Sequence, residues 1–347
     1  MKIFVKTFVQ SSLCALAIIL LLSGQQAFSA ALTSAAAGIN GFTDTLQWSK
    51  GLCGAPIDNP NPSINPGDTF TICSGHALTL GFATTDIAGI TVDSVGSLIG
   101  TLTLGAATVP LTMSPNGILT NNGGTISTDI GAHVLSNIVH TAGSTTLTAA
   151  NMTSISGYVT YTAGTLELPT ALTTINGLFS ALLASPATYV MPTTITSLAG
   201  GVTVSGGTLT LGVTNVVAGT VTIGAGGSIL GVLKLKDAAH TISGATGSIA
   251  ILDLSVSAPA TTAATAITFT PLLGETITIN GFVVPATASI SLTCIGTADG
   301  NVTSPVTSTT SSGDTYSCTG IPVVISPISA PIFSTKGKAK VFIEEVI

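Results

Sequence analysis

Hydrophobic residues in this chain fall in a short phrase, L-x-L, that returns at nearly even intervals. Full copies stand at Leu78-Thr79-Leu80, Leu102-Thr103-Leu104, Leu166-Glu167-Leu168, Leu209-Thr210-Leu211 and Leu233-Lys234-Leu235. Looser copies start at Ile126, Leu147, Tyr189, Ile229 and Ile249. From Leu78 to Ile249, leaving aside the copy at Leu233, successive starts lie 24, 24, 21, 19, 23, 20, 20 and 20 residues apart. A second landmark keeps step: Ile155-Ser156-Gly157, Ile175-Asn176-Gly177 and Leu198-Ala199-Gly200 are separated by 20 and 23 residues.

Apolar residues at every second position, bounded by Gly, Asn or Pro, predict a short strand and a turn. The same unit at a fixed interval is one coil of a solenoid, because a single coil cannot bury its apolar face and a stack can. The expected fold is all-β: a parallel β-solenoid with coils of about 20–24 residues. Leu, Ile and Val form its interior ladders, and β-branched Thr and Val suit the pleated surface. One window differs. Leu178–Ser185 (LFSALLAS) fits either an inserted helical turn or a wider extended loop.

The ends of the chain break the rhythm. Residues 1–29 read as a signal peptide: basic Lys2 and Lys6, the apolar run Leu13–Leu22, then the small-x-small triplet Ala27-Phe28-Ser29. Residues 30–77 read as an N-terminal cap holding Trp48 and the Pro/Asn-rich loop Ile57–Asp68. The solenoid takes 78–257. Residues 258–347 lose the beat and read as a smaller β-sandwich-like or capping region. No apolar run after the leader is long enough for a spanning helix. An outer-membrane barrel fits poorly, since aromatics are 5% of the chain and cannot build two girdles.

At this point a resemblance enters. The phrases Met152–Gly157, Leu172–Gly177 and Ile195–Gly200, of the form L-T-x-I-x-G, resemble coils of receptor L-domains and bacterial leucine-rich surface proteins over roughly 80 residues. The resemblance implies an extracellular β-solenoid with a recognition or wall role. The chain departs from that pattern in its Gly/Thr richness and in having no regular Asn ladder.

Charge narrows the function classes. Charged residues are 6% of the chain, and loss of Lys2 and Lys6 with the leader moves the formal net charge from −6 to −8. Nucleic acid is excluded as a partner, because phosphate binding needs clustered cations. Lys336, Lys338 and Lys340 are the only basic cluster, and they alternate on one strand face. Cys53, Cys73, Cys294 and Cys318 remain after the leader and can pair in three ways. The two local bridges, Cys53–Cys73 and Cys294–Cys318, are the simplest and suit an oxidising compartment.

Candidate chemistry is thin. Asp86 with Asp93 reads as two turn residues flanking a strand rather than a catalytic pair. Asp129, His133 and His140 match no metal-site spacing. Gly224–Ser228 lacks the lysine and helix of a phosphate loop and reads as a coil corner. No enzyme, cofactor or metal is expected. The expected function is that of an exported structural or adhesive protein, extracellular, on the cell surface or periplasmic, acting through a rigid uncharged surface on itself or on a glycan. The alternative is an ice- or carbohydrate-binding module using Thr-rich coil faces. Its candidate residues are Thr146, Thr148, Thr208, Thr210, Thr220 and Thr222, although the Thr-x-Thr pairs do not recur at one fixed position of the sequence repeat.

Overall fold

The computed structural model describes residues 31–34, 48–49, 53, 66–80, 84–104, 111–128, 133–148, 151–236, 239–254, 265–283, 290–300 and 311–320. Among these residues the fold is all-β, a parallel stack of coils. A typical coil carries three strand segments, as in Gly201–Ser205, Thr208–Leu211 and Val216–Val217. Each segment pairs in parallel with its counterparts in the coils before and after.

One interior ladder runs nearly the full length of the described chain. Its rungs are Leu32, Phe70, Ile90, Leu119, Ile138, Val159, Phe179, Val202, Val221, Ile242 and Phe269. Every one of them is at most 1% exposed. At the spacing of parallel strands this ladder is about 48 Å long. A second ladder, Tyr189, Leu209, Ile229, Ile249 and Ile279, lies on another face. A third joins Ile155, Ile175, Leu198, Val217 and Leu235.

The I-x-G landmark has a packing cause. A Cβ on Gly177 would lie 2.4 Å from the carbonyl carbon of Gly157, one on Gly200 2.3 Å from that of Gly177, and one on Gly219 2.4 Å from that of Gly200. Successive corners therefore stack backbone on backbone, and only a residue without a side chain fits. The Gly177 N–H donates to the Gly157 carbonyl at 2.9 Å in the same stack.

The structure corrects the sequence reading in several places. Leu147 is not the next rung after Leu78, Leu102 and Ile126; Thr145 is, and Leu147 pairs with Thr128. Thr145 is 1% exposed, and its hydroxyl bonds Asn121 and His140. A polar rung is invisible to a search for apolar phrases. Within LFSALLAS, Phe179–Leu182 is a strand pairing with both neighbouring coils, so the helical-turn option is wrong there. Parallel stacking also crosses residue 257, since Ala239–Gly244 pairs with Thr265–Pro271 and Gly247–Asp253 with Thr276–Val283. The beat is lost in sequence only because the connecting segment lengthens.

At the two ends of the described residues the direction changes. Trp48–Ser49 runs antiparallel to Ala31–Ser34, and Ser311–Thr319 runs antiparallel to Thr276–Val283 and Thr297–Gly300. Both local disulfides are formed, Cys53–Cys73 and Cys294–Cys318. The signal segment, Asp129, the Ile57–Asn65 part of the loop and the C-terminal lysines lie outside the described residues.

Candidate functional site

Because side chains alternate along a strand, each inward ladder leaves an outward column one residue on. Beside the long interior ladder stands the column Thr33, Thr71, Thr91, Thr120, Val139, Thr160, Ser180, Thr203, Thr222, Ser243 and Thr270. Ten of these eleven side chains carry a hydroxyl, all are half-buried and none is charged. Neighbouring hydroxyls come within reach of each other, with Thr222 Oγ1 3.5 Å from Ser243 Oγ.

Two further sets line up. Ala77, Thr101, Thr125, Ser144 and Thr165 form one column, and Thr79, Thr103, Ser127, Thr146 and Glu167 form its neighbour two residues along each strand. Together they make a two-column array of ten positions, of which eight bear hydroxyls. On the second sheet Thr188, Thr208, Ser228, Ser248 and Thr278 align, with Ser228 Oγ 3.0 Å from Ser248 Oγ. Beside it Val190, Thr210 and Leu230 form a short column whose two aliphatic members are 64% and 52% exposed.

Single hydroxyls therefore recur at fixed coil positions, although the Thr-x-Thr pairs named from the sequence share no one position. The missed signal was a phase. Coils vary in length by several residues, so only the pairing register reveals which threonines share a column. The six candidate threonines occupy different faces: Thr146 in the two-column array, Thr208 and Thr210 on the second sheet, Thr220 and Thr222 on the long-column face. Thr148 is tied to the previous coil, with its N–H donating to Thr128 Oγ1 at 2.7 Å and its own hydroxyl donating to the Thr128 carbonyl.

Interior polar groups serve the stack. Asn121 Nδ2 donates to the carbonyls of Gly124 and Ser144 and to Thr145 Oγ1. Thr145 Oγ1 also lies in hydrogen-bond contact with His140 Nδ1 at 3.0 Å. His140 is fully buried and stacks on Tyr161, centroids 5.6 Å apart; burial pushes its pKa below the ordinary value. The Leu111 N–H donates to His133 Nδ1 at 3.1 Å, and His133 is also buried. Both imidazoles thus face inward. No group of three metal-ligating side chains occurs among the described residues.

The acidic candidates do not converge. Asp86 and Asp93 sit toward opposite ends of the strand Thr84–Val95, on the order of 20 Å apart by strand rise. Asp93 Oδ1 accepts from Asn122 Nδ2 at 3.0 Å and lines a 520 Å³ cleft over the Cys53–Cys73 disulfide with His76 and Ser94. Ser34 and His76 are hydrogen-bonded at 2.8 Å, yet Ser34 is fully buried and also accepts from the Cys73 N–H, which suits a structural clasp. Gly224–Ser228 is a turn, with the Gly227 N–H donating to the Gly224 carbonyl at 2.9 Å. Among the described residues no helix is long and apolar enough to cross a membrane.

These features define the molecule as a β-solenoid with hydroxyl columns on its outer faces. No family model, curated protein or solved structure matches the chain.

Proposed function

We propose that the chain is an exported adhesive protein of the cell surface or extracellular space, working through its rigid uncharged hydroxyl columns. The observation that supports this reading is the register of the columns. A stacked solenoid holds its hydroxyls at a constant pitch of roughly 4.8 Å, so they need little ordering on contact with a repetitive surface. With charged groups rare, contact rests on hydroxyl hydrogen bonds and on Thr methyl groups. The L-T-x-I-x-G phrases, which resemble those of receptor L-domains and leucine-rich surface proteins, point the same way, as do two disulfides suited to an oxidising compartment.

Such adhesion is insensitive to salt, because screening acts on charges. Retention of the purified chain on insoluble neutral polysaccharides tests this, compared between low and high ionic strength. Equal retention at both is expected. Retention that washes off with salt, or none at all, overturns the reading. The two-column array Thr101/Thr103, Thr125/Ser127 and Ser144/Thr146 also favours a second reading, an ice- or carbohydrate-binding module. Ice shaping without polysaccharide retention would select ice.

A further inference from the structure

The long column is more selective than its setting requires. Two residues back along the same strands stands another outward column, and its first members are Ala31, Thr69, Gly89 and Ile118. All four are at least partly exposed, so this sheet accepts Ala, Gly and Ile at outward positions. A general preference of strands for Thr would act on both columns alike. Only one is held to Thr or Ser at ten of eleven rungs.

A row of hydroxyls with one pitch pairs over many rungs only with a partner of the same pitch. A second copy of this chain has that pitch by construction. Each hydroxyl both donates and accepts, so a Thr/Ser row is complementary to itself in either direction. Like-charge repulsion does not oppose the pairing, since no rung is charged. The nearest carboxylate along the strands, Asp93, is already held by Asn122. The two-column array is a poorer seam, because Glu167 ends it. With its flanking residues the long column covers on the order of 600 Å² per copy, above the total of about 1,000 Å² that a specific interface needs when both copies are counted.

We infer that this column is the seam of a homodimer: two copies join face to face along Thr71–Thr270, leaving the two-column array and the second-sheet face outward; Thr33, at the end of the column, already donates to the Ser49 carbonyl. The dimer would present each adhesive face twice, so the seam adds avidity to the adhesive reading without being that reading.

Sedimentation velocity of the full chain, disulfides intact, across a concentration series tests the seam. The expected result is a dimer at micromolar concentration. Thr120→Lys/Thr160→Lys/Thr203→Lys is expected to weaken it at least 10-fold, by placing like charges opposite one another. Thr160→Val/Thr203→Val, isosteric and without the hydroxyls, is expected to weaken it in the same direction and guards against misfolding of the lysine variant. Thr103→Lys/Thr146→Lys, on the other array, is expected to leave the dimer intact while lowering polysaccharide retention. A wild-type monomer over the whole range, or a dimer unchanged by both column variants, overturns the seam. Loss of retention with the dimer intact instead tests adhesion alone.

Discussion

At the scale of single residues, the interior is apolar except where a polar side chain ties one coil to the next. Asn215 is the clearest example. Its Oδ1 accepts from the Gly212 N–H at 2.7 Å, while Nδ2 donates to the carbonyls of Pro192 and Ile195 in the previous coil. His140 adds a dependence on pH. Burial lowers its pKa in the fold below the ordinary value near 6.5, so the folded state favours the neutral ring. The stabilisation is complete above the unfolded pKa and is lost as pH falls from there through the lower folded pKa. We predict that the melting temperature of the wild type falls between pH 7 and pH 5 more than that of His140→Phe. Equal falls in the two proteins would show that His140 stays neutral at no cost. The burial of His140 was not legible in the sequence, where HVLSNIVH only marks two imidazoles seven residues apart. Its partner Thr145 is itself tied to Asn121, 24 residues earlier, a link that only the stacked register brings about.

At the scale of the coil, the glycine corners set how closely turns can stack. Gly177→Ala forces a methyl group into the Gly157 backbone at 2.4 Å. The cost of such overpacking is about 1–3 kcal/mol. Urea unfolding should show the midpoint lowered with an unchanged slope; a midpoint at the wild-type value would mean that the corners have slack. The same substitution at Gly274, where a Cβ meets nothing within 4 Å, is strained by its φ of +75° alone. The coil itself was readable because L-x-L and I-x-G recur with the right spacing. Its register was not. Leu147 carries the apolar phrase, yet Thr145 takes the rung, since hydrogen bonds to Asn121 and His140 satisfy it inside. The hydroxyl columns were hidden for the same reason: a shift of one or two residues in coil length moves a threonine to another column.

At the scale of the molecule, a long stack with many parallel rungs is held together mainly by neighbour-to-neighbour contacts, and its ends are the weak points. The disulfides sit toward those ends. Among the described residues, Cys53–Cys73 joins residues near the first coils, and Cys294–Cys318 ties the parallel strand Ile290–Cys294 to the antiparallel strand Ser311–Thr319. Each closes a loop of 20 or 24 residues, worth roughly 3 kcal/mol on the chain-entropy model. Reduction should therefore increase amide hydrogen exchange first in the terminal coils, with the coils around Val159–Val221 protected longest. Uniform loss of protection would mean that the stack unfolds as one unit.

If the hydroxyl columns are the working surface, lysine substitutions within them lower adhesion. Retention of the wild type on an insoluble neutral polysaccharide is compared with that of Thr103→Lys/Thr146→Lys and of Thr208→Lys/Ser228→Lys, each confirmed folded by its circular dichroism spectrum. At least one pair of substitutions is expected to lower retention 10-fold or more. Wild-type retention in both variants would contradict this and leave these two arrays as ladder-forming residues with no adhesive role.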